Sequence, residues 1–344
     1  MKQKNPVASF QLLQSAAEQG YAPAQFALGR ALDKGEGTRE DAGLAVKWFQ
    51  QAAEQGHAEA QFHLGEMYAI GRGIPPDVVR AFYWRHKAAK QGYVPAQFAV
   101  GLAYGVGEGI HRDAVEAVKW LQKAAEQGYA GAQFALGMLY AGGEGVVKDS
   151  SAAIKWYRLA AEQRHALAQF NLGRMYADGD GVIKNPGEAV KWLQKAAEQG
   201  CAEAQFHLGV MHGLGDGIPK NPSMAVNWIQ QAAEQDYASA QFALALIYSS
   251  GEGVPKDLAL AAKWIRKAAE QGHLRAQTIL AFMYASGEGV LKDEIEALAW
   301  FYIAKHNDPA DEEINRNIDA LEQKLGTSFT LQAQQRSREL LQAF

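Results

Sequence analysis

Apolar residues along this chain recur at mixed three- and four-residue spacing, and glycine and proline interrupt them at regular intervals. Between Ala58 and about Ala69, residues Phe62, His63, Leu64, Met67 and Tyr68 keep that spacing, which gathers them on one face of a helix. The segment Gly71-Arg72-Gly73-Ile74-Pro75-Pro76 then breaks it, because paired glycines admit positive φ and proline keeps its predecessor out of the helical region. A second helix is predicted from about Val78 to Gln91, closed by Gly92 as the left-handed residue that follows many helices. The same glycine ending recurs at Gly20, Gly56, Gly128, Gly200 and Gly272. Arg164 and Asp236 stand at the equivalent places, so those two junctions are expected either to be strained or to end in another way.

The pattern repeats. An Ala-Gln-Phe motif carries its glutamine at Gln25, Gln61, Gln97, Gln133, Gln169, Gln205 and Gln241, and Gln277 continues the series with threonine in place of the aromatic; from Gln25 to Gln61 is 36 residues, and the interval never slips. The tryptophans keep the same register: Trp48, Trp84, Trp120, Trp156, Trp192, Trp228, Trp264 and Trp300. A length of 344 residues would suggest two ordinary domains, but fixed-period repeats set that expectation aside. Each unit reads as helix A, loop, helix B.

The consensus runs Ala-Gln-Phe-x-Leu-Gly, then Tyr, Gly-x-Gly-Val-x-x-Asp, Ala-x-x-Trp and Ala-Ala-Glu-Gln-Gly, as in residues 132–164 and 240–272. In these motifs the chain resembles the Sel-one-like repeat family, a branch of the tetratricopeptide-related solenoids. The resemblance implies an all-α, right-handed superhelical αα-solenoid. On this reading residues 1–20 form an N-terminal half-repeat, with Leu12 where tryptophan would fall, residues 21–308 form eight repeats, and residues 309–344 form C-terminal capping helices. In that last segment Asp311, Glu312 and Glu313 lead into a helix with Ile314, Ile318 and Leu321 on one side, acidic residues suiting a helix N-terminus. A final helix is expected from about Leu331 to Leu341, capped by Thr330. For function, the resemblance implies an adaptor that binds a protein or peptide on the concave helix A surface.

Comparison of the internal copies separates columns that build the fold from columns that are free. Gly29, Gly65, Gly101, Gly137, Gly173 and Gly209 lie mid-helix, where glycine costs roughly 0.5–1 kcal/mol relative to alanine, so close approach of the partner helix must offset it. The tyrosine column (Tyr68, Tyr104, Tyr140, Tyr176, Tyr248, Tyr284), alanine pairs such as Ala52-Ala53 and Ala196-Ala197, and the tryptophans read as packing too. As core, Trp156→Ala would cost about 3–5 kcal/mol. The phenylalanine column, Phe26 to Phe242, packs between neighbouring A helices or forms an exposed aromatic floor; both remain open. Two helix A columns vary freely and sit three residues apart on one face. One reads Arg30, Glu66, Leu102, Met138, Arg174, Val210, Leu246, Phe282; the other includes His63, Asn171 and His207 among alanines and Ile279. The candidate partner-binding residues are therefore Arg30, His63, Glu66, Leu102, Met138, Asn171, Arg174, His207, Val210, Leu246 and Phe282, unless the columns have simply drifted.

Charge and chemistry narrow the choice. A net charge of −4 creates no field that would draw nucleic acid. No apolar run approaches the 18 or more residues that span a bilayer, and the start, Met1 to Pro6, leads into no apolar signal core, so the chain reads as cytoplasmic, an exported or effector role aside. Cys201 is the sole cysteine, which leaves no intrachain disulfide or cysteine-based zinc site, and it reads as a small apolar filler. His63 and His207 lie four units apart, while His57, His165 and His273 share a unit-start column with Tyr21, Tyr93, Tyr129, Tyr237 and Cys201; no metal is expected. One carboxylate per loop (Glu36, Glu108, Glu144, Asp180, Asp216, Glu252, Glu288) is too few for calcium and reads as a solvated edge, as does the lysine row Lys47, Lys119, Lys155, Lys191 and Lys263. The Gly-x-Gly turns follow no strand and are not phosphate loops, and no nucleophile elbow is present. A non-enzymatic adaptor without cofactor is the expectation. The alternative is a binder of cell-wall polysaccharide or peptidoglycan, or an associated hydrolase; the cysteine-rich branch of the family linked to such chemistry carries paired cysteines that this chain lacks.

Overall fold

The computed structural model describes residues 6–343, with side chains from Phe10 onward; the basic start, Met1 to Asn5, lies outside them. Among the described residues there are nineteen helices and no strand. The chain divides into two compact bodies, Met1–Ala168 and Gln169–Phe344. In the first, a helix at Pro6–Glu18 precedes four A/B pairs: Ala22–Lys34 with Ala42–Glu54, Ala58–Ile70 with Val78–Lys90, Val94–Val106 with Ala114–Glu126, and Ala130–Gly142 with Ser150–Glu162. Repeat 5 opens with Ala166–Asp178, whose first turn contains the division, and continues with Pro186–Glu198. The second body then holds Ala202–Leu214 with Pro222–Glu234, Ala238–Ser250 with Leu258–Glu270, and Leu274–Ser286 with Glu294–Asn307, followed by Glu312–Leu325 and Thr327–Ala343. The chain is thus an all-α repeat solenoid, and the helices of its repeats begin and end within a residue or so of where spacing alone places them.

Each B helix starts at an aspartate or asparagine. Asp113 accepts the N–H groups of Val115 and Glu116, both at 3.0 Å, and donates its own N–H to the Tyr104 carbonyl at 2.9 Å, joining the start of B to the end of A. Each B helix but the last ends in paired reverse bonds. Gly92, at φ 88°, donates to Ala89 and Tyr93 donates to Ala88, at 3.0 and 3.2 Å. Arg164 and Asp236 adopt the same left-handed conformation, φ 66° and 60°, and make the same two bonds. Those junctions therefore end in the ordinary way and carry strain, of order 1 kcal/mol for a residue with a Cβ. Asp236 regains part of it by accepting from Gln241 Nε2 at 3.2 Å.

The conserved-looking glutamine of each copy is buried and joins three helices. Gln133 Nε2 donates to the Ala125 carbonyl in the last turn of the preceding B helix at 3.1 Å, while its Oε1 accepts from Gln163 at the end of its own B helix at 2.7 Å. Gln25, Gln61 and Gln97 do the same in the first body, and Gln205, Gln241 and Gln277 in the second. In the last repeat Asn307 takes the place of the closing glutamine and donates to Gln277 at 2.9 Å.

Helix pairs close on the mid-helix glycines. A Cβ added at Gly101 would lie 2.7 Å from Leu121 Cγ, and one at Gly137 2.5 Å from the Tyr157 ring, so the glycines do permit close approach. The residue they meet is not the tryptophan but the one after it: Phe49, Arg85, Leu121, Tyr157, Leu193 and Ile229. Only Trp120 and Trp300 are buried, and the other six tryptophans are half-buried, which corrects their reading as full core. One residue is about 100° around a helix, enough to turn the indole to the flank. There it is covered in part by lysine, as with Lys123 over Trp120 and Lys195 over Trp192, at 4.1 and 4.0 Å.

At the C-terminal end Asp311 caps the Glu312–Leu325 helix, and Ile314, Ile318, Ala333 and Leu340 bury Trp300 and Phe301. The final helix begins at Thr327, earlier than expected, so Thr330 lies inside it instead of capping it. The reason is local: the Thr330 N–H already donates to the Gly326 carbonyl at 3.2 Å.

Two measurements check this packing. Leu193→Ala, removing a fully buried side chain, should destabilise by about 2–5 kcal/mol, and by more than Trp192→Ala, as read by urea denaturation. Gln133→Ala removes one of two donors to the Ala125 carbonyl and the acceptor of the Gln163 amide, and the two lost bonds should cost about 1–3 kcal/mol in the same assay.

Candidate partner-binding surface

In the first body the expected residues form two groups on the A helices. Arg30 is exposed, with its guanidinium 5.9 Å over the Phe26 ring. His63 lies 5.4 Å from that ring and stacks on Phe49 at 5.6 Å. Glu66 is tied down by Arg85, whose Nε donates to it at 2.7 Å. Leu102 and Met138 remain 43% and 52% exposed. They flank an apolar cavity of about 350 Å³ between the A helices of repeats 3 and 4, with Glu144 also on its wall.

The second body repeats part of this arrangement. Arg174 lies 5.8 Å over Phe170, and His207 lies 5.5 Å from the same ring. Asn171 is half-buried. Val210 and Leu246 line a cavity of about 290 Å³ that also includes Glu252. Phe282 is edge-on to Phe301 at 5.0 Å and half-buried, so it belongs partly to the core.

The phenylalanine column packs between repeats. Phe62 meets Tyr93, Phe98 meets Tyr129, Phe134 meets His165, Phe206 meets Tyr237 and Phe242 meets His273, with centroids 4.4–5.6 Å apart. The unit-start column of tyrosines and histidines is therefore the partner of the phenylalanine in the repeat before it. Spacing within one unit could not show that pairing.

Sel1 repeat models match residues 1–21, 22–57, 58–93, 94–129, 130–165, 166–201, 202–237, 238–273 and 274–308. The chain belongs to the Sel1 repeat family. Among solved structures it is similar to a Sel1 repeat protein from Oxalobacter formigenes, with 33% identity over 93% of this chain and 94% of that one, and a TM-score of 0.72. It is also similar to c5321, a protective antigen of uropathogenic Escherichia coli strains displaying an SLR fold, with 30% identity, coverage of 97% and 94%, and a TM-score of 0.50. A comparison with curated proteins finds no match. Sel1 repeats generally serve as scaffolds for protein–protein interaction.

The Sel1 repeats of this chain also hold their titratable groups in identifiable ways. Cys201 is pushed up to about 11 by burial, so its thiol stays protonated at neutral pH. Among the described residues no three of His, Cys, Asp and Glu converge as metal ligands, and no helix is long and apolar enough to cross a membrane. The histidines of the unit-start column act as caps: His165 and His273 accept the N–H of Ala168 and Ala276 through Nδ1, each at 3.3 Å. Sequence reasoning missed Arg85. It is the one charged residue in a column otherwise filled by Leu13, Phe49, Leu121, Tyr157, Leu193, Ile229, Ile265 and Phe301, a signal visible once the residue after each tryptophan is compared.

Burial holds His63 and His207 below the usual imidazole range, helped by Arg30 and Arg174 respectively, and burial lowers His86, His165, His212 and His273 as well. In this window the unfolded chain takes up protons before the folded one. Stability should be full above the unfolded imidazole value of about 6.5 and should fall as pH drops below it. Melting temperatures between about pH 7.5 and 5 should show that loss, and the double variant His63→Leu, His207→Leu should show a shallower one.

Proposed function

We propose that this Sel1 repeat chain is an adaptor that holds a peptide or protein partner on the helix A faces of its repeats. In the first body the contact residues are Arg30, His63, Glu66, Leu102 and Met138; in the second they are Asn171, Arg174, His207, Val210, Leu246 and Phe282. The observation that carries this reading is the exposure of Leu102, Val106 and Met138 beside an apolar cavity that all three line. Exposed apolar surface grouped around a concavity is what recognition sites present, whereas scattered exposed leucines need no explanation. A polysaccharide platform would require open aromatic faces, and the phenylalanine rings pack against the ring that opens the next repeat.

Affinity capture from a lysate of the source organism, read by quantitative mass spectrometry, tests the reading. The triple variant Arg30→Ala, Leu102→Ala, Met138→Ala should keep its melting temperature and lose captured partners by about tenfold or more. Full retention by a folded variant would overturn the assignment of these residues.

A further inference from the structure

The two cavities occupy equivalent places in the repeat. One lies between repeats 3 and 4, with Leu121 of helix B at its base and Glu144 of the following loop on its wall. The other lies between repeats 6 and 7, with Ile229 and Glu252 in those roles. Between repeats 2 and 3 the same place holds a side chain of the chain itself. Arg85, the counterpart of Leu121 and Ile229, is buried there with its stem against Gly65. Its guanidinium bonds Glu66 at 2.7 Å and reaches Glu108, the counterpart of Glu144 and Glu252, at 3.4 Å. The fold thus contains a worked example of what fills this space: an aliphatic stem ending in a guanidinium directed at the loop carboxylate. Leucine and isoleucine are several atoms shorter, and what they leave is a largely apolar socket with a loop carboxylate on its wall, joined in the second by Lys220.

A second observation points the same way. Each cavity is also lined by a helical glycine, Gly105 or Gly213, where repeats 2, 4, 5, 7 and 8 carry Ala69, Ala141, Ala177, Ser249 and Ala285. Helix packing does not require these two glycines. An added Cβ at Gly105 would meet only the Ala117 Cβ, at 4.0 Å, and one at Gly213 only the Ala225 Cβ, at 3.6 Å. Glycine inside a helix is unfavourable, so a position where alanine would fit and glycine stands at both sockets speaks for space kept open.

We propose that the two cavities are sockets for arginine side chains of a protein partner, the guanidinium seating against Glu144 in one body and against Glu252 in the other. Arg112 and Lys220 already lie 3.5 and 3.0 Å from these carboxylates, but those loop pairs are more than half exposed and hold them weakly. Each socket offers one carboxylate where Arg85 has two, so affinity for a single side chain is modest. The proposal rests on the reading of helix A as the partner-facing surface and names the chemistry that surface selects.

The test is a methyl NMR titration of the full chain with 1-propylguanidinium, the arginine head and stem alone, against 1-propylurea, its neutral near-isostere. Saturable shifts are expected at Leu102 and Met138 and at Val210 and Leu246, with dissociation constants on the order of millimolar. Propylurea should bind at least about threefold more weakly. Glu144→Gln should weaken the first socket alone and Glu252→Gln the second alone, while Glu288→Gln changes neither. Gly105→Ala, which meets no clash, should raise the melting temperature and reduce binding at the first socket. Equal binding of propylurea, shifts indifferent to Glu144→Gln and Glu252→Gln, or no saturable shift at all would each overturn the arginine assignment. The titration reads the sockets without any partner protein, so its failure is separate from a failure of the capture experiment.

Discussion

The buried glutamine amide is the constraint on which the rest of each repeat depends. A B helix that ends in a left-handed residue leaves the carbonyl of its last alanine with a spare lone pair, and the glutamine of the next A helix donates to it, as Gln61 does to Ala53 at 3.0 Å. The same amide must also accept from the end of its own B helix, as from Gln91 at 2.8 Å. A primary amide enclosed among apolar side chains is unfavourable unless both its ends are satisfied. One side chain therefore sets the spacing of three helices at once.

With polar satisfaction assigned to the glutamine and close approach to the mid-helix glycine, the remaining A helix columns are released from the fold. They are used unevenly. Where one of these columns holds His63 the side chain turns inward against Phe49, and where the other holds Phe282 it turns against Phe301. Where alanine stands in the His63 column, as Ala135 beside Met138 and Ala243 beside Leu246, a cavity opens. Between repeats 2 and 3 that space is closed again by Arg85. Filled and open junctions thus occur on one architecture. A family whose repeats generally act as interaction scaffolds can in this way present different surfaces from nearly identical units.

Cost and tolerance are distributed in the same uneven manner. Arg164 and Asp236 accept the left-handed turn that glycine makes elsewhere, because the two reverse bonds at the helix end over-determine the backbone. Gly105 and Gly213 are the opposite case, with flexibility retained where packing would allow alanine. Departures from a consensus are informative here because the repeat supplies its own controls.

The sequence by itself determined the helix boundaries within the repeats, the left-handed ends, the repeat length and the family, because these follow from local backbone chemistry and from a period visible along a single chain. It also located the variable face containing Leu102 and Met138. It did not determine that Leu193 rather than Trp192 faces the glycine, that Phe134 stacks on His165 of the following repeat, or that Gln133 bonds residues eight positions before it and thirty after it. Periodicity assigns a residue to a face, but the depth of its burial depends on how closely and at what rotation a second helix approaches. Only the packed structure decides that, and it placed Arg85 inside a space that stands open elsewhere in the same fold.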